Sequence, residues 1–227
     1  MQGTGDFLRL FFPLNCLVCG KRLNIPGMAL CFDCEMNLPK SGLGDDEDNP
    51  VSRIFWGRIP VRAGTSLFKF EKGSAYQSLI HDLKYRGNQK LGCYLGRLLG
   101  QKLKKGVFME CDLLVPVPLH PRRQRQRGYN QSELISRGVS EITGIPVYTN
   151  LVRRKHYQHS QTTKSREERF ENMEKAFSLC GSPPDLHDKN ILLIDDIVTT
   201  GATLEACCSL LLKRFNCTVY VATVSYA

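Results

Sequence analysis

The sequence predicts an α/β protein, a doubly wound parallel sheet preceded by a small Cys₄ module, and three observations carry that expectation. The run Ile191-Leu192-Leu193-Ile194 leads straight into Asp195-Asp196 and the small-residue turn Thr199-Thr200-Gly201-Ala202-Thr203. From about residue 61 onward, strand-like and helix-like patterns alternate. Ahead of them stand two C-x2-C pairs, Cys16/Cys19 and Cys31/Cys34. An aliphatic run without alternation marks a strand covered on both faces, the habit of parallel sheets, and helices between strands supply the cover. The expected organisation is a metal module over 1–40, a linker over 41–60 and the α/β domain over 61–227.

The stretch from Asp6 to Pro13 is apolar but short, without a basic leader or a small-residue cleavage site. It is expected to be a short helix docked on the metal module, not a secretory signal. Each C-x2-C forms a tight knuckle, and with eleven residues between the pairs four thiolates can converge on one tetrahedral ion. Structural Zn²⁺ is the expected occupant, because four sulfur ligands leave no open position for chemistry. Gly20 stands where the first knuckle needs an open backbone conformation. A redox dithiol would need one C-x2-C ahead of a helix in a thioredoxin-like unit, and that setting is missing. The other six of the ten cysteines lie in apolar stretches and are expected to be mostly inert core thiols. Residues 41–50 are acidic and aperiodic, a linker or surface loop without EF-hand spacing.

Residues 61–70 alternate loosely, as in a half-buried strand. A helix over 74–84 puts Ala75, Leu79, Ile80 and Leu83 on one face. The next, over 91–104, carries Gly92, Gly96 and Gly100 four apart, a stripe for close packing in the core or for a dimer seam. Residues 113–118 form a short buried strand ended by prolines, and 128–139 a further helix. Late strands are expected over 190–194 and 217–224, with a helix between them whose apolar face is Leu204, Cys207, Cys208, Leu211 and Leu212.

The 31 basic and 22 acidic side chains leave a formal charge of +9, which favours a polyanionic partner. A hydrophobic fraction of 42% and a mean hydropathy of −0.25 describe an ordinary globule, and no run approaches membrane-spanning length. No membrane insertion and a cytoplasmic location are expected.

At the carboxyl edge of a parallel sheet, where such sheets bind ligands, Asp195 and Asp196 would meet a nest of backbone N–H groups and hydroxyls from Thr199 to Thr203. Acids beside a phosphate cup suit a phosphorylated sugar and a hydrated Mg²⁺. A plain strand–turn–helix is the blander reading. A response-regulator receiver carries its paired acids on the first strand, and no GxxxxGK is present for a Walker site. The strand over 113–118 is followed by Leu119, His120, Arg122, Arg123, Arg125 and Arg127, a positive rim of guanidinium forks suited to phosphate oxygens. Lys84, Tyr85 and Arg86 close their helix with two cations and a ring, which the helix dipole alone also favours. A third basic element runs from Arg153, Arg154, Lys155 and His156 through Gln161, Lys164, Arg166 and Arg169, either a hood over the site or a solvated helix and loop.

Residues 194–203 resemble the phosphoribosyl pyrophosphate (PRPP) signature of type I phosphoribosyltransferases. The order of Cys₄ module, KYRG, VPVPLHPRR…RGYNQSE, Gln161…Arg169…Asn172…Phe177 and DDIVTTGAT resembles the ComF proteins of bacterial DNA uptake, with Tyr129 where many relatives carry Phe. The resemblance implies a phosphoribosyltransferase-like fold in which Asp195 and Asp196 hold ribose hydroxyls and Thr199, Thr200, Gly201, Ala202 and Thr203 hold the 5′-phosphate. It places the pyrophosphate loop at Leu119 to Arg122, with His120, Arg122 and Lys84 toward PRPP and Mg²⁺. It further implies a single-stranded DNA-binding role in transformation and a helicase-like partner. Cations and rings for such a strand are Lys84, Tyr85, Arg86, Arg123, Arg125, Arg127, Arg153 and Arg154, with Tyr129 and Tyr157 as further rings. The alternative is an active phosphoribosyltransferase with Asp195 and Asp196 as catalytic acids and an unknown nitrogen acceptor.

Overall fold

The computed structural model describes residues 14–40, 48–155, 176–181 and 183–227. The expected helix over 6–13, the acidic stretch over 41–47 and the basic segment over 156–175, with Tyr157, Gln161 and Asn172, lie outside the described residues.

β1 (Gly64–Lys69), β2 (Leu113–Pro116), β5 (Asn190–Val198) and β6 (Thr218–Tyr226) form one parallel sheet in the order β1-β6-β5-β2. β3 (Val152–Arg154) and β4 (Phe177–Leu179), which the patterning does not announce, make a small antiparallel pair. Among the described residues the α-helices are α1 (Phe32–Met36), α2 (Pro50–Arg53), α3 (Gln77–Tyr85), α4 (Gln89–Leu103), α5 (Pro121–Arg127), α6 (Gln131–Thr143) and α7 (Ala202–Arg214). Leu192 and Ile194 of β5, with Tyr220, Ala222 and Val224 of β6, pack against α3, α4 and α6. Ile191, Leu193, Val219 and Val221 pack on the other face against α7 and the β3–β4 pair. The sheet is therefore doubly wound, as its aliphatic strands require. The neighbours β2 and β5 lead to helices on opposite faces, so a crevice opens between their carboxyl ends.

The glycine stripe is settled inside the chain. A Cβ on Gly96 would stand 2.2 Å from the carbonyl oxygen of Ile135, and one on Gly138 would stand 2.1 Å from that of Cys93. Glycines on both helices let α4 and α6 touch backbone to backbone, and this draws α6 down onto the sheet.

The metal module shares the core of the α/β domain. Leu30, Leu38, Cys16 and Cys34 are buried in the cluster that includes Phe68, Leu79 and Leu83. The Tyr76 hydroxyl donates to the Cys34 carbonyl at 3.0 Å, and Ser78 donates to that of Leu17 at 3.2 Å. Lys40 bridges to Phe68 on the free edge of β1, where Lys69 N–H donates to the Pro39 carbonyl. On the free edge of β2, Leu114 and Val147 make a parallel bridge.

Two expectations need correction. The latter part of the expected 41–60 linker is folded, because Asn49 caps α2 at Val51 and Ser52, donates to the Gly64 carbonyl, and buries Val51 and Phe55 in the second core cluster. The arginine rim, where no helix was expected, is the helix α5, with His120 accepting from Arg122 N–H at its start, Pro121 at N1 and Gly128 ending it.

Candidate functional site

β5 stays paired with β6 as far as Val198, but its pairing with β2 stops at Ile194↔Pro116. Asp195 and Asp196 thus stand in the crevice left where β2 ends. Ser132 Oγ donates to Asp195 Oδ1 at 2.9 Å, and the Asp196 N–H donates to the same oxygen at 2.8 Å. Lys84 Nζ from the end of α3 sits 3.2 Å from Asp196 Oδ1. Burial foremost, then the Asp196 carboxylate, pushes the Asp195 carboxyl up to about 7 from the ordinary 3.8. A further cation or a ligand's hydroxyl donors at this site would favour the ionised form of Asp195.

Three concavities meet here. A cavity of about 190 Å³ is walled by Lys84, Leu119, Arg123, Arg127, Arg154, Asp195, Asp196 and Thr203, together with Asn130, Gln131 and Ser132. One of about 60 Å³ is walled by Asp195 and by residues 197–204, including Thr199, Thr200, Gly201, Ala202 and Thr203. A groove of about 600 Å³ is walled by Lys84, Tyr85, Arg86, Gly87, Arg123, Gln126 and Arg127. The Nε2 of Gln131 is buried with no hydrogen-bond partner among the described residues, so the 190 Å³ cavity has a donor on its wall that a bound oxygen could satisfy. α7 opens at Gly201, so its first-turn N–H groups face the 60 Å³ cavity.

The threonine turn is braced from behind. Gly201 has φ +77, and a Cβ there would come within 2.5 Å of Ile54. Arg58 donates to the Thr200 carbonyl at 2.7 Å and to that of Ile54 at 3.0 Å, and it pairs with the buried carboxylate of Glu205. No local pattern announces Arg58, since its partners lie 142 and 147 positions away. Asn130, which accepts from Ser132 N–H as the cap of α6, was within reach of capping rules.

Of the expected anion and strand residues, Lys84, Tyr85, Arg86, Arg123 and Arg127 come together, with the Arg127 guanidinium 5.2 Å over the Tyr85 ring. Arg154 joins the 190 Å³ cavity and lies over Phe177. His120, Arg122 and Arg125 are on α5 or its cap, outside the walls of these three concavities. Arg153 is exposed and donates to Ser178. Tyr129 is no stacking ring, because it is buried with its hydroxyl on the Leu83 carbonyl at 2.7 Å.

At the other end, the ligand atoms of Cys16, Cys19, Cys31 and Cys34 lie within 4.8 Å of one another. Four thiolates around a tetrahedral ion sit about 3.8 Å apart, so the set can hold one. Gly20, at φ +75, donates its N–H to the Cys16 carbonyl and closes the first knuckle as expected. Burial works against ionising Cys16, yet backbone donors around Cys19, Cys31 and Val18 bring its thiol down to about 6. Cys111, by contrast, is pushed up to about 12 by burial, and Cys207 and Cys208 are raised by the same cause, as inert core thiols are.

Residues 132–227 match the phosphoribosyl transferase domain family. Competence protein ComFC of Streptococcus pneumoniae is 32% identical over 212 residues, covering 85% of this chain and 90% of that protein. The chain belongs to the ComF family. Competence protein F of Haemophilus influenzae is 38% identical over 102 residues, and DNA utilization protein YhgH of Salmonella typhimurium 31% identical over 147. The matches cover 44% and 63% of those two ComF-like relatives, so the chain spans about half of their length. Among the described residues no helix is long and apolar enough to cross a membrane.

Proposed function

We propose that this ComF-family chain binds PRPP with Mg²⁺ at the acid pair and threonine turn, and handles single-stranded DNA on the adjoining basic groove in natural transformation. The observation that carries this reading is the meeting of Asp195 and Asp196 with the Thr199–Thr203 turn and a cationic wall at one sheet edge. Ionised Asp195 and Asp196 accept from the ribose 2′ and 3′ hydroxyls, and the turn and the α7 N-terminus take the 5′-phosphate. Lys84, Arg123 and Gln131 face the pyrophosphate, alongside the backbone from Leu119 to Arg122. Mg²⁺, when bound, neutralises part of that pyrophosphate charge. Zn²⁺ fits the Cys₄ set and holds the module in the fold. The names of the ComFC and Competence protein F relatives support the transformation role, for which a DNA-uptake helicase is the proposed protein partner.

Calorimetry with PRPP and Mg²⁺ tests the pocket: heat of binding is expected for the native chain and its loss for Asp195→Asn/Asp196→Asn. A labelled oligothymidylate titrated across salt tests the groove. Four cations, Lys84, Arg86, Arg123 and Arg127, predict a log–log salt slope of about −3. Oligonucleotide binding that ignores salt would overturn the groove assignment.

A second reading, phosphoribosyl transfer, is favoured by the near-neutral Asp195 carboxyl. A nitrogen nucleophile would bond to C1, the C1–O bond would break with its electrons leaving on pyrophosphate, and Asp195 would accept the nucleophile's proton. Pyrophosphate release across a panel of bases and amines is the readout.

A further inference from the structure

We propose that PRPP and single-stranded DNA oppose each other's binding on this protein, because Lys84, Arg123 and Arg127 form a wall common to the 190 Å³ cavity and the 600 Å³ groove. The inference rests on both halves of the binding reading above and adds a regulatory link between them.

The chemistry of the two sides differs. The cavity is lined by both acids, Asp195 and Asp196, and by the cations Lys84, Arg123, Arg127 and Arg154, a mixture that suits a ligand carrying both hydroxyls and phosphates. Among the described residues no carboxylate lines the groove, whose cations are Lys84, Arg86, Arg123 and Arg127, Arg86 being paired behind it with Asp82 at 3.2 Å. Tyr85 is 67% exposed, with the Arg127 guanidinium 5.2 Å and the His81 ring 5.1 Å from its ring centre, so an exposed aromatic group stands beside cations suited to a backbone phosphate. Each side is completed by the same three cations.

Those cations cannot serve both occupants at full strength. Lys84 brings one ammonium, already drawn to Asp196. A pyrophosphate in the cavity turns the ammonium and the two guanidinium forks toward itself, and its charge then lies across a thin wall from the backbone phosphates in the groove. Like charges at that separation in a partly dehydrated cleft repel more strongly than in water. Loss of shared donors and repulsion act in the same direction, so the coupling between the sites is negative. By linkage it is reciprocal: PRPP weakens the strand by the factor by which the strand weakens PRPP.

The test is fluorescence anisotropy of labelled oligothymidylate at fixed ionic strength with rising PRPP and Mg²⁺, paired with PRPP calorimetry with and without unlabelled oligothymidylate. The expected result is an oligonucleotide Kd that rises about tenfold or more at saturating PRPP, with the same factor in the reverse experiment. Pyrophosphate with Mg²⁺ should reproduce the effect, and ribose 5-phosphate, which lacks the diphosphate, should leave the oligonucleotide bound. In Asp195→Asn/Asp196→Asn the oligonucleotide should still bind and PRPP should no longer displace it. Absence of PRPP heat, or of oligonucleotide binding, would overturn this inference together with the corresponding half of the proposed function. If each ligand binds alone and neither affects the other, the proposed function stands and the antagonism is refuted.

Discussion

A carboxyl group pressed out of water beside a second carboxylate holds its proton longer, and Asp195 does so in this fold. In the unfolded chain the group ionises near 3.8, in the folded one near 7, so between those values the fold keeps a proton that the unfolded chain has released. Its contribution to stability therefore falls as pH rises from about 4 to about 7 and is flat above. Asp195→Asn should flatten that part of the stability–pH curve, as urea titrations at several pH values would record. PRPP affinity should move the other way, strengthening as pH rises through about 7, because ribose hydroxyls need an ionised acceptor. That pH step should vanish in the Asn variant. The pair and the threonine turn were legible in the sequence because strand, acids and turn are contiguous. Arg58 was not, since nothing in residues 54–58 tells which turn they brace. Arg58→Ala leaves the buried Glu205 without its partner and the Thr200 carbonyl without its donor. We expect a loss of about 1–2 kcal/mol of stability in denaturant titration and weaker PRPP binding by calorimetry.

At the scale of helices and strands, most of the domain followed from aliphatic runs and helical periodicity, with boundaries shifted by a few residues. β5 reaches Val198 because β6 remains beside it, and tertiary pairing of that kind leaves no mark in local sequence. α5 was missed because its residues are nearly all charged or polar and none is buried, so it has no apolar face for periodicity to reveal. The glycine stripe of α4 was legible as a contact but not as to partner, and Gly138 on α6 supplies the answer. Gly96→Ala places a methyl against the backbone of α6 and should cost about 1–3 kcal/mol in chemical denaturation. Because α6 carries Asn130, Gln131 and Ser132 into the cavity wall, the same variant should also weaken PRPP binding.

Over the whole molecule, the Cys₄ module and the α/β domain are joined through one hydrophobic cluster, not tethered side by side. The sequence suggested two units because the two C-x2-C pairs are confined to the first forty residues, while the shared burial of Leu30 and Leu38 with Leu79 is long-range. Chelation of the metal should accordingly lower Tm for the entire chain in one transition, by roughly 10 °C, instead of melting the knuckles alone. Calorimetric scanning with and without a chelator checks this, and two separate transitions would contradict it. The segment at residues 39–40 has a further role at the border of the sheet. It covers the Phe68–Lys69 end of the free edge of β1, where a strand from another molecule could otherwise begin to pair. A chain that let this short segment peel away would bare that end of β1 as a template for intermolecular pairing.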